Sequence, residues 1–183
     1  MKHLIKIDYF RHLDKNNNIL YEEKDIKNII HAKGQEYILR VLFDALSIPN
    51  NYYIGLDNRS SLSLEDTLET IVPVEPSTNG YSRQPVESAV FNLNVTSSGN
   101  YKADSPIVLF RAIGGSWGPV KNVFLATSLS TTTNESTSIP LPDGTGGGTF
   151  LNTVVSSIAL SSEVTVANGE SVSMKISLGL ENF

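Results

Sequence analysis

The chain has no cysteine among its 183 residues, and tryptophan, with one copy, and histidine, with three, are also scarce. The absence of cysteine excludes disulfides, thiolate nucleophiles and cysteine-ligated metals, and it suits a protein that folds in a reducing cytoplasm. Lys and Arg number 14 against 19 Asp and Glu, which gives a formal net charge of -5. Phosphate binding needs clustered Lys and Arg, so this balance argues against a nucleic-acid partner.

Long apolar runs are missing as well. No window approaches the roughly 20 apolar residues that a membrane-spanning helix requires, so we expect no membrane partner. Lys6 and Asp8 interrupt the region that would be continuously apolar in a signal peptide. We therefore interpret the N-terminus as part of the fold, and a chain of this length can bury a core as one domain.

Alternation of apolar and polar residues in the first 33 positions predicts an N-terminal hairpin arm, with turn residues at 14–18. An extended arm can add a strand to the exposed sheet edge of a neighbour. We therefore expect this arm, residues 1–33, and the helix that follows it to be the docking elements, with the arm as the part that adds a strand. The apolar positions that would carry the interface are Ile5, Ile7, Tyr9, Ile19 and Tyr21.

The remainder of the chain predicts one α-helix followed by strands. Glu36, Arg40 and Asp44 form a charged stripe opposite apolar positions, which predicts a helix over residues 34–47, and a second short helix is possible at residues 61–68. Short alternating strands with turn signals then predict a mainly β, antiparallel, jelly-roll-like β-sandwich over residues 48–183. Residues 129–149 are rich in Ser, Thr and Gly and predict a long loop.

No cluster of residues predicts catalysis or a cofactor. The histidines, His3, His12 and His31, lack the spacing of a zinc site, and we expect them to face solvent or to pack at an interface. The glycine-rich stretch at residues 144–148 lacks the Lys-Ser/Thr of a phosphate-binding loop. We therefore expect no catalytic residues, no cofactor and no metal.

Two acidic pairs, Asp57-Asn58 and Glu65-Asp66, offer the oxygen ligands that calcium prefers. Helix capping and solvation explain the same residues more simply. Calcium binding therefore stays the less favoured interpretation of these pairs.

Trp117 is the single tryptophan, and it stands between glycines and a proline at the start of an alternating run. Glycine lets the backbone turn sharply, and Pro119 cannot donate to a sheet, so the ring could close one end of the core. The alternative is an anchor in a subunit interface, where tryptophan is enriched.

The segments at residues 117–127 (WGPVKNVFLAT) and 158–174 resemble the C-terminal half of small structural proteins of tailed bacteriophages. Residues 52–56 (YYIGL) and 80–86 (GYSRQPV) resemble the upstream segments of that family. The Ser/Thr/Gly insertion between Leu129 and Phe150 departs from the family pattern. The resemblance implies a virion structural protein of the tail-fibre-like or minor capsid-associated kind, and it supplies no catalytic residues.

From this resemblance we expect a non-enzymatic virion protein that folds in the bacterial cytoplasm and then joins the particle as a capsid decoration, head fibre, or tail or neck component. Its partners would be other virion proteins and further copies of itself, as a homo-oligomer. The alternative is a module that binds host-surface carbohydrate through Tyr81, Trp117 and the polar loop. A polysaccharide-degrading enzyme ranks last, because no carboxylate pair stands apart from the ordinary surface charges.

Overall fold

The computed structural model describes residues 5–43, 46, 48–95, 101–133 and 151–179. Within these residues, ten strands and two α-helices follow one another along the chain. They are β1 (Ile5–Leu13), β2 (Ile19–Ile30), α1 (Ala32–Phe43), β3 (Asn51–Asp57), α2 (Leu68–Ile71), β4 (Gln84–Glu87), β5 (Asn92–Val95), β6 (Tyr101–Asp104), β7 (Val108–Arg111), β8 (Trp117–Ala126), β9 (Val154–Val166) and β10 (Ser171–Gly179).

The strands form one curled antiparallel sheet in the order β4-β3-β8-β9-β2-β1-β10-β6-β5, with β7 also beside β10. The long strand β2 joins the two halves, because it pairs with β1 along residues 19–27 and with β9 at residues 28–30. Apolar side chains from both halves meet in one core cluster, among them Phe10, Ile54, Val123 and Met174. The expected mainly β, antiparallel, sandwich-like fold is confirmed.

The N-terminal hairpin lies in the middle of this sheet, and the expectation of a docking arm needs correction. β1 pairs with β2 on one side and with β10 on the other, so its backbone groups are already bonded on both edges. Ile7 and Phe10 are fully buried. A strand bonded on both sides cannot add to the sheet of a neighbour.

The helix α1 starts two residues before its predicted boundary, and residues 44, 45 and 47 lie outside the described part of the chain. It packs very closely on β9, since a Cβ at Gly34 would lie 2.0 Å from the backbone oxygen of Val155. Tyr37 is the buried aromatic residue of α1, and its hydroxyl forms a hydrogen bond of 2.8 Å with the hydroxyl of Tyr52.

The short helix predicted at residues 61–68 is wrong, because residues 61–67 form turns and irregular structure. α2 begins at Leu68, where the predicted short helix at residues 61–68 ends. Of the predicted loop at residues 129–149, the structure describes residues 129–133, and the other residues lie outside the described part.

Substitution Phe10→Ala should lower the free energy of unfolding by about 3 to 5 kcal/mol, because it leaves a cavity between the two halves of the sheet. Ile19→Ala at the exposed start of β2 is the control, and its effect should stay within about 0.5 kcal/mol. Urea denaturation measures both. Equal effects of the two substitutions would contradict a central position of the hairpin.

Candidate functional site

The residues that the sequence predicted for an arm interface do not share one surface. Ile7 is buried in the core, which corrects its assignment as an interface residue. Tyr9 is half-buried beneath the guanidinium of Arg11, 4.4 Å from the ring centroid. Tyr21 is also half-buried, Ile19 is exposed, and the side chain of Ile5 lies outside the described part.

Trp117 closes the core. Its side chain is only 6% exposed, and its ring packs edge-on against Tyr81, which stacks on Phe110 in turn. The indole Nε1 donates to the backbone oxygen of Asn79 at 3.2 Å. The structure therefore supports the core interpretation and corrects the interface assignment, because so little of the ring can reach a partner.

A buried ion pair network lies on the outer face of the sheet, centred on Arg59. Its guanidinium forms two bonds to Asp57, at 3.0 and 2.8 Å, and one to Asp66 at 2.6 Å. Asn122 donates to Asp57 at 2.7 Å, and Ser157 accepts from Arg59 at 2.8 Å. The carboxylates that the sequence offered to calcium thus surround a cation that the chain itself provides.

His31 continues this network toward α1, and the expectation that it faces solvent is wrong. Its Nδ1 lies 2.7 Å from the backbone oxygen of Ser63, which only accepts, so Nδ1 carries the proton. Its Nε2 lies 2.7 Å from Ser157 Oγ and accepts the hydroxyl proton. The ring is therefore neutral and held in one tautomer.

Histidine and serine side chains at this spacing can act as base and nucleophile in hydrolases. Here Ser157 and His31 are both fully buried, and Ser157 Oγ already accepts from Arg59. No substrate can reach this hydroxyl in the fold as described. The network joins the ends of β3 and β2 to β8 and β9.

His12 is also buried, contrary to expectation, and its Nε2 lies 2.8 Å from Glu170 Oε2. Glu170 also accepts from the backbone of Ala167 at 2.8 Å, and both bonds help to lower its pKa, the backbone bond most. His3 lies outside the described residues. The pair of His12 and Glu170 connects β1 to the turn before β10.

Exposed apolar side chains occur at several places in the described chain, Ile107 and Ile113 among them, and at two places three of them adjoin and can form a contact surface. The helix surface consists of Leu39, Leu42 and Phe43 on α1. The edge surface consists of Leu93 and Val95 on β5 and Tyr101 on β6, which are 71%, 60% and 63% exposed. Large exposed apolar patches mark sites of protein contact more often than solitary exposed residues do.

An open cavity lies beside residues 48–51, which follow α1 in the chain. Ile48, which follows α1, is exposed and lines this cavity of about 560 Å³ with Pro49, Asn50, Asn51 and residues 87–89. α1 buries Tyr37 on the side that faces the core. The helix surface adds apolar residues on a further part of the helix, beyond those that contact the core.

An ion network holds the strands behind the edge surface. Asp104 accepts from Ser177 Oγ at 2.5 Å, from Lys175 at 3.1 Å and from Asn94 at 3.0 Å, and Lys102 lies 3.0 Å away. Burial would raise the pKa of Asp104, but the bonds from Ser177, Lys102 and Lys175 outweigh it and lower the pKa to about 2. β5, β6 and β10 are thereby fixed together on the face opposite the edge surface.

Comparison with family models, curated proteins and solved structures gives no match to this chain. Among the described residues, neither α-helix is long and apolar enough to cross a membrane. The case for function therefore rests on the contact surfaces and on the sequence resemblance.

Sequence reasoning missed the edge surface, although Leu93 and Val95 alternate with Asn92 and Asn94 in the sequence. The alternation gives a strand but does not say that the strand lies last in the sheet. Asn92 and Asn94 were the available signal for this surface. A strand with uncharged polar residues on one face and apolar residues on the other is suited to pairing with a further strand.

The stability of the protein should fall as the pH drops below about 6.5. Burial, and next to it the charge of Arg59, lower the pKa of His31, against an opposing bond to Ser63. Above pH 6.5 neither state protonates this ring, whereas below it the unfolded chain binds a proton that the folded chain refuses. The slope from this group cannot exceed about 1.4 kcal/mol per pH unit.

Urea denaturation between pH 7.5 and pH 5.5, on the wild type and on His31→Gln, separates this effect from other titrations. The variant keeps a neutral polar side chain and should lose most of the slope in this range. A slope that persists unchanged in His31→Gln would assign the pH dependence to another group.

Asn28 and Asn122, whose side-chain amides are both buried, should respond oppositely to replacement by leucine. Neither amide atom of Asn28 has a hydrogen-bond partner among the described residues, so Asn28→Leu should raise the free energy of unfolding by about 1 kcal/mol. Asn122→Leu removes donors from Asp57 and from the backbone oxygen of Arg59, and should lower it by about 2 kcal/mol. Changes of the same sign in thermal or urea unfolding would contradict these contacts.

Proposed function

We propose that this chain is a non-enzymatic structural protein that is built into a larger assembly through the helix surface and the edge surface. The observation that carries the proposal is the concentration of strongly exposed apolar side chains at these two places, beside a core and a polar network that are otherwise well satisfied. Apolar patches that remain exposed in an isolated chain become favourable contact area in an assembly.

The assembly that we propose is the particle of a tailed bacteriophage, with the chain attached as a capsid decoration, head fibre, or tail or neck component. Support for this comes from the resemblance of residues 52–56, 80–86, 117–127 and 158–174 to phage structural proteins. Docking occurs through the two contact surfaces rather than through β1, which is already paired on both sides inside the sheet.

Carbohydrate binding receives less support from the described residues. Stacking on a sugar needs an exposed aromatic face, and the rings considered for it, Tyr81 and Trp117, pack against each other at 5.8 Å between centroids. Tyr81 also uses its hydroxyl inside the fold, where it accepts from the backbone of Leu56 at 2.8 Å. A sugar could reach little of either ring.

Immunogold electron microscopy with an antibody against the recombinant chain tests the proposal on gradient-purified phage particles. We expect label at one fixed position, and the position distinguishes head from neck and tail. Particles from a phage that expresses Leu42→Lys should carry less label, because a charge on the helix surface opposes its burial. Leu129→Lys, at a similarly exposed apolar position, is the control. Particles that never carry label would refute the proposal.

A further inference from the structure

The strand β5 has a free edge that differs from the other free edges in the described part of the chain. β5 pairs only with β6. The edge of β4 is protected by Pro85 and Glu87. The N-terminal part of β2, which does not pair with β9, carries acidic residues and Lys24, and β7 carries Arg111. Proline and charge keep sheet edges from pairing with other chains. β5, with the sequence Asn-Leu-Asn-Val, has neither.

One face of this edge is apolar and uncovered. Val95 lies opposite Tyr101, and Leu93 lies opposite Ala103, which pairs in turn with Leu178 of β10. Leu178 packs against the core cluster, so the edge surface continues the core face of the sheet. No described residue covers Leu93, Val95 or Tyr101 to a large extent.

The other face of β5 is polar, uncharged and fixed. Asn94 donates to Asp104 at 3.0 Å, and Asp104 is itself held by Ser177 and two lysines. A strand that is already held in extended form loses little entropy when a second strand joins it. Because β5 itself has no charged side chain, like charges of the two copies would not lie directly opposite each other in this contact.

We propose that β5 pairs with β5 of a second copy of this chain, in an antiparallel two-fold contact centred on Asn94. In this register Asn94 faces Asn94 of the second copy, and Leu93 faces Val95. The apolar residues of both copies then lie on one face and the asparagines on the other, as a continuous sheet requires. An isologous contact of this kind closes as a dimer.

The available apolar area fits such a dimer. Val90, Leu93, Val95 and Tyr101 are all at least 40% exposed, and together with the strand backbone they would bury roughly 1,000 Å² in total, the lower range of specific interfaces. The core-facing side of each sheet would run on into that of the other copy. This contact does not depend on whether the chain belongs to a phage particle.

Sedimentation equilibrium of the purified chain tests the dimer. The wild type should be dimeric, and Leu93→Lys should raise the dissociation constant at least about tenfold, because each copy would place an ammonium group in the apolar contact. Ile107→Lys, at a site that is 66% exposed outside the edge surface, should remain dimeric. A monomeric wild type, or an equally dimeric Leu93→Lys, would overturn the proposal.

Single cysteines test the register, since the chain has none of its own. In the proposed contact the two Cα atoms at position 94 lie about 4.5 to 5.5 Å apart, within the range of a disulfide, so Asn94→Cys should form a covalent dimer under mild oxidation. The matched control Asn92→Cys lies on the same strand face, but its two copies are about 14 Å apart along the strands and should not cross-link. Equal cross-linking of the two variants, or none in Asn94→Cys, would overturn the Asn94-centred pairing.

These results separate the dimer from the proposed assembly. A dimeric wild type whose antibody never labels particles would retain the β5 contact and refute the phage role. Labelled particles with a monomeric purified chain would retain the phage role and refute the β5 contact.

Discussion

The charge of Arg59 is the constraint on which much of this structure depends. A buried guanidinium is tolerable only when anions and hydrogen-bond acceptors surround it, and removing one partner leaves the others uncompensated. Asp57 and Asp66 supply the anions, and Ser157 carries the network to His31. The segment after β3, the long strand β9 and the start of α1 are therefore held in one relative position, and the core beneath them inherits that rigidity.

A second ion pair does the same for the segment that leads out of β8. Arg83 is bonded to both carboxylate oxygens of Glu75, and it also donates to the backbone oxygens of Ser128 and Ser130 at 3.1 and 3.0 Å. Its guanidinium lies 5.2 Å from the centroid of Phe124. The networks of Arg59 and Arg83 include no residue of the two contact surfaces. Their hydrogen bonds hold interior segments together, while the apolar residues of the contact surfaces remain available for partners.

Local sequence pattern carried the fold class but not the arrangement of the strands. The alternation of Val172, Met174 and Ile176 correctly predicted a strand, but Ser173 and Ser177 on its other face are buried too, so the strand is not half-buried as its pattern indicated. The hairpin was recognised as strands, but its neighbour β10 is remote in sequence, as the pairing of His12 with Glu170, 158 positions apart, illustrates. The acidic pairs suggested calcium because the sequence does not show the direction of a side chain. Nothing near Asp66 in the sequence indicates that Arg59 points toward it rather than to solvent.

The position of β1 between β2 and β10 also governs how the protein is made. During translation, residues 5–13 emerge before the other described strands, yet one of their two hydrogen-bonding partners, residues 171–178, is synthesised after all of them. Proteins dominated by such distant pairings fold slowly, and incomplete chains expose apolar strands in the meantime. A nascent chain therefore carries an unfinished central strand while residues 14–170 are synthesised, and its exposed apolar strands can be bound by chaperones during that time.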